Sequence, residues 1–292
     1  MRRTNEMAYV AVLSTDSFLE GVLVLQDSLR LSRSRYPLHV VVGSKVGPAA
    51  RQTLARAKVE QITAGELDLP DYILSANAQS DHHKHWSGVF DKLHVFSLTQ
   101  FEKIVYIDSD VLVVRNIDDL FGRDHMSATR AGELPGRDDS VDFSTGLMVI
   151  EPAAGLTDEI VALLPEAYES ERRWRTAAGR PMSLGVQGVI NMRWPEWMEA
   201  GHLHLDAKYN VMATHLDYYL SQRGYRLRGP DAIRVLHFDG ELKPWMTAGV
   251  HSLRHAARLL ARRHKWEMAA HLAYRAVLQD ARLRLTLWRG GA

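Results

Sequence analysis

Residues 103–110 read Lys103-Ile104-Val105-Tyr106-Ile107-Asp108-Ser109-Asp110, and this stretch decides the fold class. Four consecutive apolar or aromatic residues without polar alternation predict a strand covered on both faces, as in the middle of a parallel sheet. The two carboxylates at its carboxyl end stand where open α/β sheets gather their ligands. Upstream, Ala8 to Leu13 is a second apolar run, followed by the turn residues Ser14 to Ser17 and by the helical spacing of Val22, Leu25 and Leu29. Leu38 to Val42, between Pro37 and Gly43, predicts the next strand, and a helix from about Pro48 to Lys58 leads to a third near Val59 to Ile62. This βαβαβ order predicts an α/β fold with a mostly parallel, Rossmann-like sheet flanked by helices. Phe90 to Leu98 has helical spacing, and later strands are expected at Gly146 to Ile150 and Ile233 to Phe238.

Composition narrows the class further. The 292 residues include 36 Lys plus Arg against 35 Asp plus Glu, with 46% hydrophobic and 24% charged residues. These proportions exclude disordered, collagen-like and low-complexity chains. With no cysteine there is no disulfide, thiolate ligand or cysteine nucleophile, and a reducing, cytoplasmic setting is expected. The apolar run behind the N-terminal arginines is too short for a signal peptide, and no run of about 18 apolar residues predicts a membrane-crossing helix. The net charge of +1 is unevenly spread: His251 to Ala292 hold nine basic and two acidic residues, so residues 1–250 hold 27 basic and 33 acidic. A basic tail on a slightly acidic body predicts an anionic surface as the tail's partner, with the protein at most peripheral at the inner membrane face. Confinement of the basic residues to the tail argues against nucleic-acid binding.

The chemistry begins at Asp108-Ser109-Asp110. Strand alternation puts Asp108 and Asp110 on one side and Ser109 on the other, provided the chain stays extended. Carboxylates this close repel unless a cation or hydrogen-bond donors neutralise them, and hard oxygen ligands suit Mg²⁺ or Mn²⁺. Asp is also common at strand ends, so the pair alone says little. A second motif, HFDGELKPW at residues 237–245, packs His237, Gly240 and Lys243 into one turn after a strand. Neutral imidazole binds Mn²⁺, glycine lets the backbone approach an anion, and lysine brings positive charge to phosphate. Together the two motifs describe a site for a metal-bound diphosphate.

Five ordered blocks then carry a resemblance: VLSTDSFLEGVLVLQDSL (12–29), FDKLHVFSLTQFEKIVYIDSDVLVVRNIDDLF (90–121), FSTGLMVIEP (143–152), GVQGVIN (185–191) and HFDGELKPW (237–245). Over roughly residues 8–247 the chain resembles the family 8 glycosyltransferases. The resemblance implies a GT-A fold, a nucleotide-diphosphate sugar as donor, Mn²⁺ as cofactor and transfer with retention of anomeric configuration. It implies that Asp108, Asp110 and His237 hold the metal, with Asp108 and the main chain near Ser109 also facing the ribose. Gly240 and Lys243 match diphosphate contacts, and Lys92 a basic residue reaching the donor sugar and phosphate. Leu13, Ser14 and Thr15 match the segment that holds the uracil, and Gln187 a glutamine beside the anomeric carbon. The organisation expected from it is a transferase domain over 1–248 and a basic helical extension over 249–292.

The expected reaction moves a hexose-type sugar from a UDP-sugar to a hydroxyl of a separate acceptor: a saccharide, a lipid-linked sugar or a small metabolite. Charge developing on the departing diphosphate is met by the metal, held in part by Asp110, and by Lys243. No carboxylate nucleophile is evident, so front-face attack by the acceptor with Gln187 as polar stabiliser is expected. The alternatives are a self-glycosylating primer, with Tyr218 or Tyr219 as acceptor, and a nucleotide-sugar binding protein that has lost transfer. Departures from the family pattern gather at the sugar end: Val186 replaces an aspartate that binds sugar hydroxyls, Ser183 stands at an often acidic position, and Ser144-Thr145 replaces Asn-Ser or Asn-Ala. Asp142 reads as a solvated loop acid with a replacement carboxylate as its other role.

Other features read as structural. His82, His83 and His85 suit a loop better than a metal tract. Trp194 and Trp197 suit the core, and Trp245 lies nearest the motif. From about Ser252 to Leu287 the tail reads as one or two helices, with Leu253, Ala257, Leu260, Leu272 and Ala276 on apolar stripes and Trp266 and Trp288 beside them. Either an anionic membrane or the domain itself, or a dimer partner, would cover that stripe.

Overall fold

The computed structural model describes residues 6–79, 84–131, 141–180, 182–240, 242–246 and 264–287. The Rossmann-like half runs β1 (Met7–Leu13), α1 (Leu19–Leu31), β2 (Leu38–Val42), α2 (Pro48–Arg56) and β3 (Glu60–Thr63). Helix α3 (Asp71–Gln79) and a 3-10 helix over Lys84–Ser97 lead into β4 (Lys103–Ile107). Strands β5 (Val111–Val113), β6 (Ala128–Arg130) and β7 (Phe143–Ile150) follow, then α4 (Leu156–Val161), α5 (Leu164–Ala177) and α6 (Val186–Arg193). The chain closes with β8 (His204–Leu205), β9 (Val211–Met212), α7 (Leu216–Ser221), β10 (Val235–His237) and α8 (Lys265–Leu287).

Among the described residues, seven strands form the main sheet in the order β3-β2-β1-β4-β7-β6-β8, and β5-β10-β9 form a second. β1 lies parallel to β2 and β4, as the βαβαβ reading predicts, whereas β7 runs antiparallel to both β4 and β6. Alternation along the strands divides two cores. Ala8, Val10, Ile104 and Tyr106 face α4 and α6, while Tyr9, Ala11, Val105 and Ile107 face α1 and α2. Every residue of β4 from Ile104 to Ile107 is buried, which is why no polar alternation is tolerated there.

The chain does not stay extended beyond Ile107. Ser109 and Asp110 form a turn, and β5 then pairs antiparallel with β10 in the second sheet. The two motifs therefore meet because Val111 pairs with His237, not because one strand presents both carboxylates.

The tail is helical over Lys265–Leu287, and the expectations for Ser252, Leu253, Ala257, Leu260 and Trp288 lie outside the described residues, as do those for His82 and His83. The buried face differs from the expected one. Leu272 and Ala276 are exposed, and Ala270, Tyr274, Leu278 and Ala281 turn inward. Tyr274 sets this rotation, because its ring packs on Phe238 at 4.9 Å and stacks on Trp245 at 5.7 Å. The helix lies along α1, with ion pairs from Arg282 to Glu20, Arg30 to Asp280 at 3.3 Å and Arg284 to Asp27 at 3.6 Å. Among the described residues no helix is long and apolar enough to cross a membrane.

Candidate active site

A cleft of about 760 Å³ opens at the carboxyl ends of β1 and β4. Ser14, Thr15, Lys92, Asp108, Ser109, Asp110, Gln187, Gly240 and Lys243 all line it. Leu13 does not: its side chain is fully buried in the core behind β1, and its carbonyl accepts from the Gly43 amide. Ser14 donates to the Gly88 carbonyl at 2.7 Å, which ties the end of β1 to the 3-10 helix carrying Lys92.

Asp108, Asp110 and His237 each offer a ligand atom within 4.8 Å of the others, the cluster expected from the sequence. His237 Nε2 lies 3.2 Å from Asp110 Oδ1 and 3.9 Å from Asp108 Oδ2. Its Nδ1 lies 2.9 Å from Asn210 Oδ1, while the Asn210 amide nitrogen donates to Ser144 Oγ at 2.9 Å and approaches Thr129 Oγ1 at 3.4 Å. With the amide oxygen as acceptor, Nδ1 carries a proton and Nε2 faces the carboxylates, to which it donates when the imidazole is protonated and beside which it would offer a lone pair to a shared cation, the arrangement of a metal-ligating histidine. Gly146 supplies room: a Cβ there would fall 2.6 Å from His237 Cε1 and 3.3 Å from Asp108 Oδ2. A donor set of two carboxylates and one imidazole suits a divalent cation of the Mn²⁺ type.

Each carboxylate is also matched by an ammonium group. Lys92 Nζ sits 2.9 Å from Asp108 Oδ1, and Lys243 Nζ donates to Asp110 Oδ2 at 2.7 Å and to the Phe238 carbonyl at 2.7 Å. The Tyr106 hydroxyl donates to Asp108 Oδ1 as well. Burial alone would raise the Asp110 carboxyl, but His237 and Lys243 overcome it and hold the group below the usual carboxylate range. Burial likewise works to lower His237, and Asp110 and Asp108 outweigh it and raise the imidazole. The site is thus a dense, charge-balanced cluster that holds Asp110 ionised.

Gln187 follows Val186 on the first turn of α6, and its Oε1 accepts from the Thr145 amide at 3.3 Å. Asn191, one turn on, pins the helix to β7 by exchanging hydrogen bonds with Phe143. Val186 is buried yet lines the cleft, so this wall presents methyl groups where the resemblance expects an acid. Ser183 is fully buried, and its hydroxyl has no partner among the described residues. Asp142 does not line the cleft. Trp197 is buried in the core and donates to the Met126 carbonyl, and Trp194, partly buried, stacks on Phe96 against that core. Tyr219 is buried and Tyr218 packs against it. Gly240 sits in open space, where a Cβ would meet only Thr214 Cγ2 at 3.8 Å.

A model described as "Glycosyl transferase family 8" matches residues 9–249. The chain belongs to glycosyl transferase family 8. Within that family's relatives, glycogenin-1 of Homo sapiens is 30% identical over 241 residues, covering 82% of this chain and 62% of the relative. Inositol phosphorylceramide glucuronosyltransferase 1 of Arabidopsis thaliana is 27% identical over 259 residues, covering 83% of this chain and 43% of the relative. The chain thus spans less than two thirds of the length of these two relatives. Among solved structures, the apo-form glycosyltransferase GlyE of Streptococcus pneumoniae aligns with a TM-score of 0.57 at 17% identity, covering 98% of this chain and 64% of that one. An active-site mutant of LgtC aligns with a TM-score of 0.53 at 13% identity, covering 85% and 93%. These likenesses establish the GT-A fold for the family 8 chain, whose mixed sheet and C-terminal helix are described above.

Sequence reasoning missed two members of the site. Tyr106 precedes Asp108 by two residues on the strand, and period-2 alternation would have placed it on the same face. Asn210 had no signal, because nothing in its neighbourhood marks a buried amide aimed at a histidine from another motif.

Proposed function

We propose that this chain is a retaining transferase that moves a hexose-type sugar from a UDP-sugar to a hydroxyl of a separate acceptor, with Mn²⁺ bound by Asp108, Asp110 and His237. The observation that carries this reading is the convergence of those three ligands with Lys243 and Gln187 around one cleft. The cation, with Mg²⁺ as its substitute, supplies Lewis-acid neutralisation of the diphosphate. Lys243 adds a second positive charge toward the phosphates, and Lys92 holds Asp108 in place. Ser14 and Thr15 present the end of β1 to the uracil, and Ser109 lies on the ribose side. The sugar carbon bonds to the acceptor oxygen as its bond to the phosphate oxygen breaks, UDP departs, and the acceptor's proton leaves with it. Gln187 offers its amide to the face where positive charge develops on the sugar. Attack from the same face accounts for retention without a protein nucleophile, and among the described residues no carboxylate lines the wall at Val186.

Tyr219 is buried among aromatic rings, which supports a separate acceptor over self-glycosylation. The intact ligand set supports transfer over mere binding. The test is a panel of UDP-sugars incubated with the protein and Mn²⁺, reading UDP release and intact-protein mass, with Asp110→Asn alongside. Donor hydrolysis by the native chain, lost by at least about a hundredfold in Asp110→Asn, is expected. No hydrolysis, no mass gain and no donor binding would overturn the reading.

A further inference from the structure

The segment that carries Gly240 and Lys243 has little regular structure of its own. After β10 ends at His237, residues 238–240 and 242–243 carry no helix or strand, and 244–246 form a turn. Two neighbours hold it. On one side the Trp245 indole donates to the Ser17 carbonyl at 2.8 Å and meets the Phe18 ring edge-on at 5.6 Å, at the entry to α1. On the other side stands α8, which lies beyond the residues matched to the family. Tyr274 of α8 stacks on Trp245, Tyr274 and His271 both meet the Phe238 ring, and the Arg275 guanidinium donates to the Pro244 carbonyl at 3.2 Å. Pro244 and Trp245 directly follow Lys243, and Phe238 supplies the carbonyl to which Lys243 donates.

We infer that α8 is a buttress for the diphosphate-facing turn, with Arg275 and Tyr274 as positioning residues that set where Lys243 stands. The inference rests on the donor-binding role given above to Lys243. A turn of this length fixes a lysine only if its backbone is fixed, and the Lys243 ammonium must lie within a few tenths of an ångström of its partners to act on a phosphate. Arg275 binds the carbonyl one residue past Lys243, so it fixes the turn where propagation to the ammonium is shortest. Tyr274 fixes the rings on either side of it. The hydroxyl of Tyr274 is buried without a partner among the described residues, so the ring is the part of the side chain that acts here.

Because the buttress acts on the phosphate end, it should distinguish a diphosphate from a monophosphate. Calorimetric titration of UDP and of UMP, each with saturating Mn²⁺, is compared for the full native chain, Arg275→Ala and Arg282→Ala. Arg282, on the same helix as Arg275, pairs with Glu20 of α1 and, among the described residues, makes no polar contact with the turn, so its variant controls for general loosening of α8. The native chain is expected to favour UDP over UMP, and Arg275→Ala to weaken UDP about tenfold while UMP changes by less than about twofold. Arg282→Ala is expected to keep both affinities within about twofold. Thermal melting of all three checks that each is folded, and if Arg275→Ala does not fold, Arg275→Lys replaces it with the same loss of UDP preference expected. A native chain that binds UDP tightly beside an Arg275 variant with an unchanged UDP-to-UMP ratio overturns the buttress alone. A native chain that binds neither nucleotide overturns the donor-site reading, and the buttress with it. Equal weakening of both nucleotides in both arginine variants overturns the positioning role in favour of simple docking.

Discussion

His237 turns Nε2 toward the carboxylates because Asn210 occupies its other nitrogen, and Asn210 is itself held by Ser144. Ligand and orienter come from elements far apart in sequence, so the metal motif is only half of what makes the imidazole a ligand. Asn210→Ala leaves Nδ1 without its acceptor and lets the ring choose either tautomer and rotate. Mn²⁺ affinity should fall by about ten- to a hundredfold, read from the free-ion signal in electron paramagnetic resonance titration. A folded variant with native Mn²⁺ affinity would show that Asn210 does not orient the ligand. At this scale the sequence was legible where residue type alone announces chemistry, as for Asp108, Asp110, His237 and Lys243. Leu13 belongs to the same segment as Ser14 and Thr15, but strand alternation turns its side chain into the core and leaves the cleft to its neighbours. Asn210 and Gly146 owe their importance to a neighbour brought up by folding, which no local pattern records.

At the scale of elements, β1, β2, β3 and β4 were readable with their βαβαβ order along the chain, because covered strands must be continuously apolar, and KIVYI is. The turn after Ile107 was not, since Ser109-Asp110 suits a strand end and a turn equally. What decides it is the pairing of β5 with β10, a contact about 125 residues apart along the chain. A second device ties β1 to the region behind the site. Asp118, at the start of a 3-10 helix, accepts from Tyr9 and Ser34 hydroxyls at 2.8 Å each and from the Arg35 amide at 3.0 Å. Burial opposes the charge, but these donors win and hold the carboxyl below its usual value. With the folded value depressed, the stabilisation is complete above the unfolded value of about 3.9 and is lost as pH falls through the folded one. Asp118→Asn keeps the shape and cannot titrate. The variant should be less stable than the native chain by about 1–3 kcal/mol at pH 6, with the gap narrowing as pH drops below about 4, measured from urea midpoints. A gap independent of pH would show that the ionised form is not what these donors select.

For the molecule as a whole, the near-zero charge hides a basic tail and an acidic body, and the fold brings part of one onto the other. Arg282 and Arg284 of α8 pair with Glu20 and Asp27 of α1, so for this part of the tail the anionic surface is the chain's own helix. The sequence left a membrane, the domain itself and a dimer partner open as covers for the tail, because pairing depends on which face of α8 turns inward. That choice is made by apolar burial. Exposed ion pairs are worth about 0–1 kcal/mol each and weaken with salt, whereas truncating a buried aromatic costs about 3–5 kcal/mol. Tyr274 is fully buried, while Arg282 is more than half exposed. Arg282→Ala should therefore cost less than about 1 kcal/mol in 0.1 M NaCl, and the difference from the native chain should vanish at 1 M, where the screening length falls to about 3 Å. Tyr274→Ala should cost about 3–5 kcal/mol at both salt concentrations, measured from denaturant midpoints with matched slopes. If instead the arginine variant cost as much as the tyrosine variant and recovered in salt, α8 would be held by charge. Its place behind the Lys243 turn would then weaken as ionic strength rises, which burial of the Tyr274 ring against Phe238 and Trp245 argues against.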